Sequence, residues 1–226
     1  MEENRLPRSE MRPWQYAGVI LWLPMHVWFL PRLLQRLRPG FTASGLNFWT
    51  YAFGAGLLTL LCLGFLRRDF DRICERPFYV LGQILLGYAM LMAANLLVSI
   101  LVYTLVPQDN PNNEAVLDLA KVARGRILAI SIVLAPLLEE LIFRGGIFGL
   151  LRRWNRWLAY VVCILVFGLY HVWQYALTDP IFWLYLLQYL PAGYVLCRSY
   201  EKTECIWTAI LLHMLNNSVS LLALGG

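Results

Sequence analysis

PFYVLGQILLGYAMLMAANLLVSILVYTLVPQ, residues Pro77 to Gln108, contains no Asp, Glu, Lys or Arg. A helix crossing a hydrocarbon core of about 30 Å needs roughly 20 apolar residues, so this stretch predicts a membrane span with a tilt or an emergent end. Reading outward from it, Pro39 to Leu66, Ile127 to Leu151, Trp157 to Thr178, Pro180 to Cys197 and Cys205 to Gly226 are further apolar runs. Pro13 to Pro31, interrupted by Pro24 and His26, either crosses the bilayer or lies bent within one leaflet. No small-residue cleavage site follows that run, so no removable signal peptide is expected. Between Pro107 and Arg126 the chain turns polar. There Asn113 is a plausible N-cap, Val116, Leu119 and Ala123 share a face, and Asp118 can reach Lys121, which together predict a short interfacial helix.

The composition agrees. Of 226 residues, 59% are hydrophobic and 15% charged, against roughly 45–50% and 25% in soluble domains. That excludes soluble, disordered and nucleic-acid-binding classes. The five cysteines, Cys62, Cys74, Cys163, Cys197 and Cys205, are odd in number and lack C-x-x-C spacing, so neither a disulfide framework nor a zinc knuckle is indicated. The expected fold is all-α: a polytopic transmembrane bundle of seven to eight helices, in contact with membrane lipids and with the active site inside the bundle. The net charge of +5 reads as an orientation signal. The basic stretches Arg67 to Arg76, Arg152 to Arg156 and Arg198 to Lys202 fall on one side, and the positive-inside rule makes that side cytoplasmic. Arg32, Arg36 and Arg38 oppose this assignment if the first segment spans.

Twelve of the 14 acidic residues sit in loops or near segment ends; the two deep in an apolar run are Glu139 and Glu140. A charge at the bilayer centre costs roughly 2.5–3.5 kcal/mol on insertion scales, so neighbouring carboxyls there require partners or a wet cavity. Arg144, one turn beyond Glu140, can supply one partner. His171 and His213 lie in two other apolar runs, with Asn217 on the face of His213. At about 1.5 Å per residue the acids and histidines sit roughly 12–21 Å deep, where they can meet. A single intramembrane ion pair or histidine is commonly a structural tie between helices. Such ties explain poorly why all of these groups occupy three segments at similar depth. His26, with no companion acid, reads as structural or interfacial.

Glu139-Glu140-Leu-Ile-Phe-Arg144, Phe167-Gly-Leu-Tyr-His171 and His213-Met-Leu-Asn-Asn217 occur in this order. The sequence resembles the CPBP family, named for CAAX proteases and bacteriocin-processing enzymes and also called Abi, whose hallmarks are E-E-x-x-x-R, F-x-x-x-H and H-x-x-x-N. The resemblance covers roughly Arg126 to Leu222. It divides one integrated membrane domain into N-terminal helices with a linker (1–126) and a catalytic core (127–226). It implies an intramembrane endopeptidase acting on a membrane-associated or lipidated peptide, in a multi-pass protein of a prokaryotic plasma membrane. Carried over, Glu139 and His171 hold and deprotonate water, His213 and Asn217 stabilise the oxyanion, and Glu140 with Arg144 forms a supporting pair. The two glutamates are exchangeable in these roles. Phe167 packs beside His171.

Two adjacent carboxyls with one arginine permit such a division without the family, since one can serve as a fixed anion and the other as a base. No cofactor is required in that scheme. A zinc version would use Glu139 or Glu140 with His171 and His213, a known catalytic donor set, although no H-E-x-x-H nucleates it. A proton-coupled transporter and a non-enzymatic immunity or scaffold protein are the competing classes; the chain shows no repeat of the kind transporters carry.

Overall fold

The protein, seen in a computed structural model that describes residues 8–106 and 109–225, is helical along almost all of its described length. Helix α1 (Pro13–Leu37) is followed by α2 (Ala43–Leu61), α3 (Leu63–Glu75) and α4 (Pro77–Leu105). After these come α5 (Pro111–Leu128), α6 (129–151), α7 (Arg156–Ala176), α8 (Leu186–Thr203) behind a 3-10 turn (Pro180–Tyr185), and α9 (Ile206–Gly225). Among the described residues, five helices are long and apolar enough to cross a membrane, or six if the bent pair α2 and α3 counts as one span. The protein is an integral, multi-pass membrane protein, and no strand occurs among the described residues.

Local chemistry sets the breaks. Pro24 falls inside α1, and the chain passes there through a wider turn, Met25–Phe29, that tolerates the missing N–H. The first segment is therefore a bent helix long enough to span. His26 is buried edge-on against Tyr51, with ring centroids 4.7 Å apart, so its place is structural rather than interfacial. Thr42 caps α2 by accepting from the Gly45 N–H at 3.1 Å. The expected loop Arg67 to Arg76 is instead the amphipathic helix α3, turned 78° from α2. Arg198 and Lys202 likewise lie on the last turns of α8, because Glu204, in a left-handed conformation (φ 48°), ends that helix later than the fall in hydropathy suggests. The linker helix starts earlier than expected. Asn110, not Asn113, is its N-cap, since Pro111 fits the first helical position and the Asn110 side chain takes the Asn112 N–H at 3.0 Å. Val116 and Leu119 do face the bundle and Asp118 pairs with Lys121 at 2.8 Å, but Ala123 is a kink with non-helical backbone.

One end of the bundle carries the basic stretches and is tied by a buried network. Ser9 donates from its hydroxyl to Asp69 at 2.6 Å and from its N–H to Glu204 at 2.7 Å, while Arg152 and Tyr200 donate to its carbonyl. Asp69 also receives the Ile206 N–H at 2.8 Å, capping α9 from a neighbouring helix. At the opposite end Asn110 meets Gln188, and Trp28 packs on Trp173. Between the ends α1 lies against α6 so closely that a Cβ on Gly146 would come 2.7 Å from Val19. The tandem glycines thus serve helix contact. Leu81, Leu85, Leu96 and Leu97 on α4 stay exposed, as a lipid-facing surface requires.

Candidate active site

The site begins with a proline. Pro136 has no N–H, and the turns just before it are wide: Ala135 N–H reaches back five residues to the Ile130 carbonyl. In that register the carbonyl Pro136 cannot satisfy is that of Ser131. Asn217 of α9 takes it instead, its Nδ2 donating to the Ser131 oxygen at 2.9 Å. A gap in the α6 ladder therefore fixes the angle at which α9 presents His213.

One turn on, the glutamates divide. Glu140 is completely buried, and its Oε1 receives Arg144 Nη1 and His213 Nδ1, each at 2.8 Å. Arg144, also fully buried, lies 4.3 Å above the Phe167 ring and contacts the carbonyls of Ala192 and Gly193 at 3.4 Å. Both donors to Glu140 share that one oxygen, Glu140 Oε2 being buried without a partner, and a buried carboxylate paired in this way with a guanidinium is a fixed anion. Glu139 receives no such donors. Its Oε2 is buried without a hydrogen-bond partner, 3.8 Å from His171 Nε2 and 4.0 Å from His213 Nε2.

The tautomers follow from the partners. The Phe167 carbonyl can only accept, so His171 donates to it from Nδ1 at 2.8 Å. With Nδ1 so engaged, a neutral His171 turns a lone pair on Nε2 toward Glu139. His213, donating from Nδ1 to Glu140, presents its Nε2 to the same Glu139 carboxylate. Separations of 3.8 and 4.0 Å leave room for a water at about 2.8 Å from the carboxylate and an imidazole. Two tetrahedral zinc ligands at about 2.0–2.1 Å from the ion would stand closer, near 3.4 Å. No group of three His, Cys, Asp or Glu among the described residues has metal-holding geometry as it stands.

Glu139, His171 and His213 line the inner end of a cavity of about 450 Å³, with Phe167 and Asn217 also in its wall. All seven residues singled out in the sequence gather within this one region. Asn217 arrives with its amide bonded to Ser131 rather than turned freely into the cavity. Sequence reasoning missed Tyr189, whose ring stacks on His171 at 4.5 Å and 20°, and Asn110, whose Nδ2 lies 3.3 Å from the Tyr189 hydroxyl. No spacing rule marks a tyrosine near a helix start. Asn95, by contrast, is polar inside the longest apolar run and could have been flagged from sequence.

Gly193 sets how closely α8 approaches α7. A Cβ there would meet the Ile164 backbone at 3.1 Å. Gly193→Ala should therefore separate the helices, loosen the Arg144 contact and destabilise the protein by about 1–3 kcal/mol, read as a lower midpoint of thermal unfolding in detergent.

Residues 125–219 match the family described as Type II CAAX prenyl endopeptidase Rce1-like. The chain is 31% identical over 148 residues to the membrane-embedded CAAX protease MroQ of Staphylococcus aureus (strain USA300), covering 63% of this chain and 58% of that protein. It is 32% identical over 114 residues to YdiL of Bacillus subtilis (strain 168), a protein with a provisional name as a membrane peptidase, covering 50% of this chain and 43% of that one. It is 27% identical over 164 residues to YvdC of Lactococcus lactis (strain IL1403), with 71% and 60% covered. The chain spans about half the length of the curated relatives it matches. No solved structure matches it. These matches bear out the CAAX-protease resemblance drawn from the three motifs, which all lie inside the matched segment.

Proposed function

We propose that the protein is an intramembrane endopeptidase of the bacterial plasma membrane that hydrolyses a peptide bond in a membrane-associated or lipidated peptide, with water activated by Glu139. The observation that carries this reading is the unpartnered Glu139 Oε2 facing two imidazole nitrogens in the wall of a cavity. A carboxylate held in that way has an unfilled acceptor where a water's proton must go. His171 accepts a hydrogen bond from the same water through Nε2, and its Nδ1–H on the Phe167 carbonyl keeps that face forward.

In this scheme Glu139 takes a proton as the water oxygen attacks the carbonyl carbon, and returns it to the leaving amine when the tetrahedral intermediate collapses. His213 in its imidazolium form offers Nε2–H to the oxyanion, and the Asn217 amide keeps one N–H free beyond its bond to Ser131. Arg144 and Glu140 hold His213 in register. Removing one oxyanion donor typically costs about 10²–10³ in rate.

A second reading has one observation in its favour: Glu139, His171 and His213 make up a recognised zinc donor set. The three residues would hold the ion, and bound zinc would supply a more acidic water. The longer spacing of the donors favours water held directly by the side chains.

The test uses the full chain in liposomes, offered lipidated and unlipidated peptides, with new termini read by mass spectrometry. Wild type should cleave; His171→Ala and His213→Ala should each lose at least about 10² in turnover. Wild-type rates in both variants would overturn the reading in favour of a scaffold or transporter. Activity that a strong chelator abolishes and zinc restores would move the assignment to the metal scheme.

A further inference from the structure

The cavity runs in one direction only. From His213 its wall on α9 continues through Asn216 and Ser220 to Ala223, away from the basic end. On α8 it occupies the first half, from Gln188 to Leu196, and it is roofed by Asn110, Asn112 and Asn113 of the polar linker. Toward the basic end the bundle is solid. Phe143, Phe148 and Tyr200 are fully buried there, with Phe148 5.0 Å from Tyr160 and 6.2 Å from Tyr200. Arg152 closes that end, at 2.7 and 3.0 Å from the Glu204 carboxylate and 4.8 Å from the Tyr200 ring. Among the described residues, this close packing stands between the basic end and Glu139.

The lining has a chemistry of its own. Among the described residues its wall beyond Glu139, His171 and His213 carries no ionisable side chain except the inner tyrosine Tyr189, and its polar groups are the carboxamides of Gln188 and of six asparagines, Asn217 and Asn95 among them, with serine hydroxyls. Such groups donate and accept alike, which suits the alternating N–H and C=O of an extended main chain and gives a strongly charged segment no counter-ion. The positive-inside rule makes the basic end, with Arg67, Arg68, Arg152, Arg153 and Arg198, the cytoplasmic one; Arg32, Arg36, Arg38 and Arg126, at the cavity end, count against it.

We infer that the substrate enters from the extracytoplasmic face through this carboxamide-lined cavity, as an extended and uncharged peptide segment, so that the bond cut lies beyond the cytoplasmic half of the bilayer. The identity of the entrant rests on the hydrolase reading; the direction of access does not, and the two fail separately.

Cysteine accessibility tests it in the full chain. Cys74 is the exposed native cysteine, while Cys62, Cys163, Cys197 and Cys205 are buried, and burial pushes the Cys205 thiol, at the junction of α8 and α9, up to about 11. In a Cys74→Ser background, Asn112→Cys at the mouth and Ser220→Cys in the wall are treated with a charged, membrane-impermeant methanethiosulfonate. Intact cells and inverted vesicles are compared, with Arg153→Cys as the opposite-face control. Both cavity cysteines should be blocked at least tenfold faster in intact cells, and Arg153→Cys at least tenfold faster in inverted vesicles. Faster blocking of either cavity cysteine from the vesicle side, or blocking of Ser220→Cys from neither side, overturns the inference. The expected labelling with no peptide cleavage by wild type would sink the hydrolase reading alone, and reversed labelling with cleavage intact would sink the access route alone.

Discussion

Glu139→Gln should lower peptide hydrolysis by about 10²–10⁴-fold, the usual contribution of a positioned general base, while leaving the fold unchanged. The change is isosteric, and it removes the proton acceptor without removing a hydrogen bond, because Oε2 has no partner to lose. Glu139 is also the glutamate not committed to Arg144. The midpoint of thermal unfolding in detergent should therefore stay within the range of an ordinary neutral substitution, about 0.5 kcal/mol or a little more. Turnover is measured on the peptide that wild type cleaves. A variant that folds and cleaves at the wild-type rate would remove Glu139 from the chemistry; the corresponding loss falling on Glu140→Gln alone would exchange the two roles.

Arg144→Met should have the largest effect on stability. The guanidinium and Glu140 are both fully buried and 2.8 Å apart, so truncating the arginine strands a carboxylate in a dry interior. Breaking such a pair costs about 3–5 kcal/mol. The double variant Glu140→Gln with Arg144→Met should recover a large part of that loss, because the uncompensated charge is gone and the glutamine oxygen still accepts from His213. Thermal unfolding of the two variants and wild type decides it. An Arg144→Met protein as stable as wild type, or a double variant worse than the single one, would show that the pair is not the structural anchor described above.

Much of this was legible in the chain. The uncharged run from Pro77 to Gln108 could be nothing but a long membrane helix, and Glu139 and Glu140 announced themselves because carboxyls are expensive in lipid. The i, i+4 spacing joined Glu140 to Arg144 and His213 to Asn217 before any coordinates. Helix ends were read less well. Hydropathy falls at Cys197, yet α8 runs on to Thr203, because a helix stops where backbone and capping groups allow rather than where polarity begins. The linker's cap was misplaced by three residues, since two asparagines sit within reach of the same turn and Pro111 decides between them.

The sequence by itself determined that the protein is a membrane-embedded helical bundle holding two carboxyls, an arginine, two histidines and an asparagine at comparable depth. These follow from hydropathy and helical periodicity, which are local. Only the tertiary structure decided which glutamate is bound and which is free, that Asn217 closes the gap Pro136 opens, and that the cavity leads away from the basic loops. Each depends on which residues from distant helices share a contact of a few ångströms, and no one-dimensional spacing encodes that.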